Sequence, residues 1–223
     1  SAIYTHWLLD TLPRLLLLAE AGLGLEAFDT FLFATIATPF HRFTLEALGI
    51  PLEKVRTRQL LGPYFRAEAF THVSAPRQSF VAAPGIYAMV YDFLAGPAPT
   101  EKPSRRIYIT RRGAGTRRIL NEDEVEAVLL ARGFETVAFE ALNLRQTAEA
   151  MAGASHIVAP HGAGLANLVF APPGTKVLEL FNAHLSPEYW RICGQRGLEY
   201  HAMEAFGPDR RPLDPARWDA MDF

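Results

Sequence analysis

The sequence holds a single cysteine, Cys193, among 223 residues. One thiol can form neither an intrachain disulfide nor a cysteine-based zinc site, and this usage fits a reducing compartment such as the cytoplasm. Long apolar runs are missing too. The longest, at 15–19 and 86–91, fall far short of a membrane span. The opening has neither a basic n-region nor a cleavage pattern, so no secretory signal is expected. Neither sign of charge dominates, and a net charge of −2 argues against generalised nucleic-acid binding. Three catalytic signatures are also absent. Without a Gly-x-Ser-x-Gly elbow, the superficial likeness of His161-Gly162-Ala163 to an esterase oxyanion loop leads nowhere. Without a Gly-x-Gly-x-x-Gly after a strand, a nucleotide-dependent oxidoreductase fits poorly. Without an Asp-x-Asp, no dedicated divalent-metal site is expected. The acids at 122–124 read as the ordinary dipole-favouring first turn of a helix.

What is present suits one large domain or two small ones: 49% hydrophobic and 21% charged residues, ordinary for a globular protein. The chain begins abruptly at Ser1, almost inside a helix, which leaves open that upstream sequence has been removed. Residues 4–21 predict a helix kinked by Pro13, whose missing N–H frees the carbonyl of Leu9. Strands are expected at 29–36, 55–58 and 67–74, with helices at 39–48 and 86–94. Gly96, Pro97, Pro99 and Pro103 make 96–103 the clearest linker, dividing a first lobe (1–95) from a second (104–206) and a tail (207–223). The second lobe alternates regularly: strands at 106–110, 136–139, 155–159, 176–181 and 199–203, helices at 122–131, 144–152, 165–170 and 187–196. Such alternation predicts a parallel, doubly wound α/β sheet. In the tail, Asp214-Pro215 signals a last short helix over 215–221.

The chain is organised around Ala159-Pro160-His161-Gly162-Ala163-Gly164-Leu165-Ala166-Asn167. A buried strand, a small-residue turn and a helix start together offer unpaired N–H groups to an anion. Ligands of parallel sheets bind beyond the carboxyl ends of the strands. Thr110-Arg111, Pro160-His161 and 179–182 all fall there. Residues 102–118 carry seven cations and no acid. Arg105, Arg106 and Arg112 read as a solvated basic surface. Arg111 and Arg118 flank the turn Gly113-Ala114-Gly115 and could clamp a diphosphate. Glu179 sits among buried neighbours, where a structural arginine or a ligand hydroxyl pair such as a ribose must satisfy it. His161 stays open as phosphate ligand, acid/base or turn residue. On the first helix His6 and Asp10 share a face, one turn apart.

Five segments follow one another in a recognisable order: 4–15 (with Thr5, His6, Trp7, Asp10 and Pro13), Tyr108-Ile109-Thr110-Arg111-Arg112, Arg117-Arg118-Ile119-Leu120-Asn121-Glu122, 161–167, and Val177-Leu178-Glu179-Leu180-Phe181. Together they resemble glycosyltransferase family 61, over residues 4 to about 182. The resemblance implies a GT-B-like α/β fold, two Rossmann-like lobes facing across a cleft, here with a short or truncated first lobe of about 95 residues. It implies an inverting transferase using a nucleotide sugar, generally a UDP-sugar. Arg111, Arg118, the turn residues His161, Gly162, Ala163, Gly164, Leu165 and Asn167, and Glu179 would hold the diphosphate. Residues 6–13 would line the acceptor side.

The leading expectation is therefore transfer of a sugar to a hydroxyl of a saccharide or glycoconjugate acceptor, as in polysaccharide or glycoconjugate synthesis. The alternative is a nucleotide-sugar-binding or scaffolding subunit without turnover. No cofactor is expected, and a divalent metal is not expected to be essential, because arginines and N–H groups can stabilise the leaving phosphate. No nucleic-acid partner is expected; peripheral membrane association and oligomeric state stay open. Asp10 is expected to be the base, its proton affinity raised by burial among Leu8, Leu9 and Leu12, with His6 orienting it or contacting the donor. A purely structural His6–Asp10 hydrogen bond is the competing account.

Overall fold

A computed structural model describes residues 3–58, 64–78, 80–95, 102–181, 185–204 and 220–221. Chain contacts divide it into two compact units, Ser1–Val90 and Tyr91–Phe223. Residues 96–101 of the expected linker, Asn182 and most of the tail lie outside the described residues.

The first unit opens on one turn of helix, α1 (Tyr4–His6), a π-helical turn (Trp7–Thr11) and α2 (Leu12–Glu20). The sequence predicts a kink here, and the backbone answers with a widened turn. Pro13 has no N–H for Leu9, and the ladder slips so that the Leu12 amide donates to Trp7, five residues back. A short strand β1 (Phe31–Phe33), helix α3 (Pro39–Ala47) and strand β2 (Val55–Thr57) follow, β1 and β2 pairing in parallel. Trp7 anchors this unit. It packs with Leu15, Phe31, Leu45, Ile50 and Val55, and its indole N–H donates to Thr44 Oγ1 at 2.9 Å. The strand expected at 67–74 does not form. That stretch is exposed and unpaired, so its β-prone residues gain neither a ladder nor a buried face. A two-residue hairpin, β3 (Arg77–Gln78) with β4 (Val81–Ala82), stands just beyond it, and α4 (Ile86–Leu94) contains the boundary. Among the described residues this unit has only two-stranded pairings, less than a Rossmann-like sheet.

The second unit follows the predicted alternation closely. Strands β5 (Arg105–Ile109), β7 (Glu135–Val137), β8 (Ala154–Pro160), β9 (Lys176–Phe181) and β10 (Glu199–Glu204) form one parallel sheet, with β6 (Arg118–Ile119) outside it. Helices α5 (Glu122–Leu130), α6 (Leu144–Ala152) and α7 (Glu188–Arg196) connect them. α6 begins with Asn143 and Gln146 in a reciprocal capping box, which is why its boundaries are readable from sequence. Ala220 and Met221 form β11, paired in parallel with β6, so the end of the expected tail helix is extended instead. The sheet order is β10-β9-β8-β5-β7. The chain leaves β5 toward one edge, then returns past it to β8 and proceeds toward the other. The topological switch therefore lies between β5 and β8, where ligands of open α/β sheets bind.

Candidate functional site

Arg111 follows β5 and Gly162 follows β8, so the two flank the switch point. They also meet. A Cβ built on Gly162 would stand 2.7 Å from the Arg111 guanidinium carbon, so any side chain there collides with the arginine. Gly162 is extended (φ 160°), and close approach rather than backbone freedom is what requires glycine. Arg111 donates through Nη2 to the Thr116 carbonyl at 3.1 Å, while its buried Nε finds no partner among the described residues. Burial lowers its proton affinity, and the neighbouring Arg117 lowers it further. Two guanidiniums near enough to feel each other's charge, with donors to spare, are chemically suited to an anion.

That second cation is Arg117, where the sequence reading placed Arg118. Arg117 adopts a left-handed backbone (φ 56°) uncommon outside glycine, and its Nε is also buried without a partner among the described residues. Arg118 lies exposed on β6, with its backbone committed to the pairing with β11. Arg112 pairs with Asp123 and Glu126 at 2.8 Å, and Arg105 with Glu135 at 2.6 Å, as surface roles require.

The turn after β8 leads into a helix at Ala163–Phe170, as expected, but of the tighter 3-10 kind. The Leu165 amide is used within it, donating to Gly162 O at 2.9 Å. The amides of Ala163 and Gly164 take no backbone partner among the described residues. Asn167 is buried and donates to the Gly164 carbonyl at 3.0 Å, closing the turn from within; Leu165 is wholly buried, so only its backbone faces the turn. Gly162→Ala should leave stability within about 1 kcal/mol, because the colliding atoms end a flexible side chain. It should nonetheless displace Arg111 and weaken anion binding. Thermal unfolding and a phosphate or nucleotide titration on one preparation check both halves.

Glu179 is fully buried, and among the described residues a histidine and a tyrosine, not an arginine, satisfy it. His161 Nδ1 donates to its Oε1 at 2.5 Å and the Tyr200 hydroxyl to its Oε2 at 2.7 Å. Burial and the Glu179 charge push the Tyr200 hydroxyl well above the ordinary phenol range. They also push the Cys193 thiol up to about 12, which leaves it inert. His161 is stacked on Phe181 (centroids 5.2 Å apart) and tilted against Tyr189. The network holds the residue just before Gly162 and so fixes where the turn starts. A second buried carboxylate, Glu122, accepts from Tyr108 (2.8 Å) and Thr110 (2.5 Å) and secures the end of β5. Tyr200 has no signal in the sequence, and Glu122 reads there only as part of an acidic helix start; the partners of both come from other strands or their ends.

In the first unit, His6 Nδ1 and Asp10 Oδ2 lie 2.7 Å apart, across the π-helical turn. Arg77, which sequence reasoning missed, donates to both Asp10 oxygens. It arrives from 67 residues further along, so nothing local announces it. Its presence reverses the expectation for Asp10. Burial alone would raise the carboxyl's proton affinity, but the hydrogen bonds and charges of Arg77 and His6 outweigh it and hold Asp10 below the usual carboxylate range. An acid held ionised by arginine is a poor proton acceptor and a good anchor. Because the carboxylate can only accept, Nδ1 of His6 carries the hydrogen of this contact, which turns Nε2 away from Asp10. The His6 side chain is 47% exposed.

A depressed pKa stabilises the fold above the unfolded aspartate value, and that contribution is lost as pH falls through the folded value. Asp10→Asn should therefore cost about 1–2 kcal/mol near pH 7, the lower part of the charged hydrogen-bond range because the carboxylate keeps contact with solvent. The gap to wild type should close in acid, below the ordinary aspartate range. Urea unfolding of both proteins across that window reads it directly.

Among the described residues no three His, Cys, Asp or Glu side chains gather so as to hold a metal ion, and no helix is long and apolar enough to cross a membrane.

The family model for Glycosyltransferase 61 matches residues 4–178, covering both the His6–Asp10 turn and the switch-point turn. The chain belongs to glycosyltransferase family 61. Curated proteins, three of which follow, share part of this family 61 sequence. The chain is 32% identical over 114 residues to protein O-linked-mannose beta-1,4-N-acetylglucosaminyltransferase 2 of Takifugu rubripes, covering 48% of the chain and 19% of that protein. It is 38% identical over 77 residues to the beta-1,2-xylosyltransferase RCN11 of Oryza sativa subsp. japonica, covering 34% and 14%. It is 31% identical over 111 residues to the EGF domain-specific O-linked N-acetylglucosamine transferase of Drosophila melanogaster, covering 48% and 21%. The matched stretches of these family 61 proteins thus amount to about a fifth of their length or less.

Proposed function

We propose that this family 61 chain transfers a sugar, hexose or pentose, from a nucleotide sugar to a hydroxyl of a saccharide or glycoconjugate, with inversion. The observation that carries the reading is the Arg111–Arg117 pair against Gly162 at the switch point of a parallel sheet. The three relatives, named as N-acetylglucosaminyl- and xylosyltransferases, support a sugar nucleotide as the donor, and a UDP-sugar is the first to try. In this reading the second unit takes the donor and the first serves the acceptor, the division of labour of the GT-B plan.

The chemistry then asks for two things. At the acceptor, His6 Nε2 accepts the hydroxyl proton while Asp10 holds Nδ1–H and stabilises the resulting imidazolium. At the donor, the acceptor oxygen bonds the anomeric carbon as the bond from that carbon to the phosphate oxygen breaks, and the electron pair leaves on the diphosphate. Arg111, Arg117 and the turn amides of Ala163 and Gly164 oppose that growing charge. Guanidiniums do this without a metal, so nucleotide binding should persist in chelator. Complete loss there, with recovery on adding Mg²⁺ or Mn²⁺, would overturn metal independence.

The test of the function itself is a calorimetric or thermal-shift screen against UDP-, GDP-, CMP- and dTDP-sugars, followed by product analysis with the best donor and a panel of saccharide acceptors. A preferred donor and a transferred sugar support the proposal. A preferred donor with no transfer and no donor hydrolysis supports the alternative, a binding subunit without turnover. No nucleotide binding at all refutes both.

A further inference from the structure

One pocket near this site is unused by the proposed chemistry. It measures about 320 Å³ and is lined by Phe181 at the end of β9, Leu185, Ser186 and Pro187 before α7, Trp190 in its first turn, and Tyr200 on β10. Its volume sits at the lower end of small-molecule sites. The lining is almost wholly apolar, with Ser186 as the one hydroxyl not already committed to Glu179. Two walls are pre-set. The Tyr200 ring is fixed by its hydrogen bond to Glu179, and Arg191 lies 5.8 Å from the centroid of the Trp190 ring. Trp190 is nevertheless 53% exposed, a large aromatic left in water.

The pocket and the candidate anion site are linked through one ring contact. Phe181, its inner wall, stacks on His161, which immediately precedes Gly162. Along the sheet edge it stands at β9 and β10, one or two strand spacings from the turn after β8, or ~5–10 Å. That is the kind of separation a ribose bridges between a diphosphate and its base. A nucleoside diphosphate pairs an anionic end with a flat, weakly polar ring. The chain offers a cationic turn and an aromatic, apolar pocket side by side.

We propose that this pocket takes the nucleobase of the donor, stacked against Trp190. The proposal rests on the nucleotide-sugar reading above, and its test separates the two. Full-length protein and its Trp190→Ala variant are titrated with UDP, GDP, CMP and dTDP, with the tightest binder's nucleotide sugar, and with inorganic pyrophosphate as a base-free probe. Since Trp190 is half exposed, the variant should fold, and its unfolding temperature is checked first. Leu185→Asp, at a more exposed wall of the same pocket, serves as a second variant.

The expected result is a fall of about five- to a hundredfold in affinity for the best nucleotide, the range of base–aromatic stacking, with pyrophosphate affinity unchanged. Quenching of tryptophan fluorescence by that nucleotide should shrink in Trp190→Ala. If wild type binds a nucleotide and both pocket variants bind it equally well, the pocket assignment fails while the donor reading stands. If Trp190→Ala weakens the nucleotide sugar but not the free nucleotide, the pocket holds the sugar and the proposal is wrong. If pyrophosphate weakens in parallel with the nucleotide, Trp190 acts on the phosphate site and the proposal is again wrong. If no nucleotide binds wild type, both readings fall.

Discussion

His6→Ala is expected to cut turnover by about 10²–10⁴-fold, the range for loss of a general base, while nucleotide affinity stays near wild type. The side chain is half exposed and its one described hydrogen bond is to Asp10, so the fold should tolerate the change. Asp10 is engaged by Arg77 on both oxygens and held ionised, so of the pair the imidazole of His6 is the better placed to act on an acceptor hydroxyl. Asp10→Asn should also slow turnover, because an amide no longer dictates which ring nitrogen carries the hydrogen. The two variants should differ in severity: Asp10→Asn keeps the imidazole, His6→Ala removes it. Near-normal turnover in His6→Ala with an inactive Asp10→Asn would return the role of base to Asp10. Near-normal turnover in both would place the base outside this turn and leave the pair a structural clasp.

The second large effect belongs to Arg111. Arg111→Ala should lower nucleotide diphosphate affinity about tenfold to a hundredfold, equivalent to charge-assisted hydrogen bonds of roughly 1.5–3 kcal/mol. Arg117→Ala should weaken binding in the same direction, since it shares the field at Arg111. Arg118→Ala, exposed on β6, should change affinity by less than about threefold, the size of an ordinary surface substitution. Titration of all three variants with one nucleotide ranks them. A folded Arg111→Ala protein with unchanged affinity would remove the donor site from the switch point. An Arg118 effect larger than that of Arg117 would restore the pairing first read from the sequence.

The second unit was legible because each of its elements carries its own local signal. Asn143 and Gln146 box the start of α6, Gly197 closes α7 in a left-handed conformation, and the run 176–181 is apolar enough to be a buried strand. The first unit was less so. Residues 67–74 look like a strand by composition, but strand formation needs a partner, and none stands beside them among the described residues. At Pro13 the missing N–H correctly announces a break in the helix. Only packing around Trp7 and Thr44 accompanies its appearance as a widened turn rather than a sharp bend.

By itself, then, the sequence determined the alternation of strands and helices in the second unit, the family, and the two turns that matter, at His6–Asp10 and 161–167. These depend on neighbours a few residues apart, where hydrophobic period, caps and glycine spacing act directly. Only the tertiary structure decided that β5 and β8 are adjacent, and hence that Arg111 lies against Gly162 at a switch point. It alone supplied Arg77 to Asp10, Tyr200 to Glu179, and Arg117 in place of Arg118 beside Arg111. The physical reason is common to all of these. A charge takes its pKa and its role from whatever stands within a few ångströms, and those neighbours come from distant points of the chain that only the folded backbone brings together.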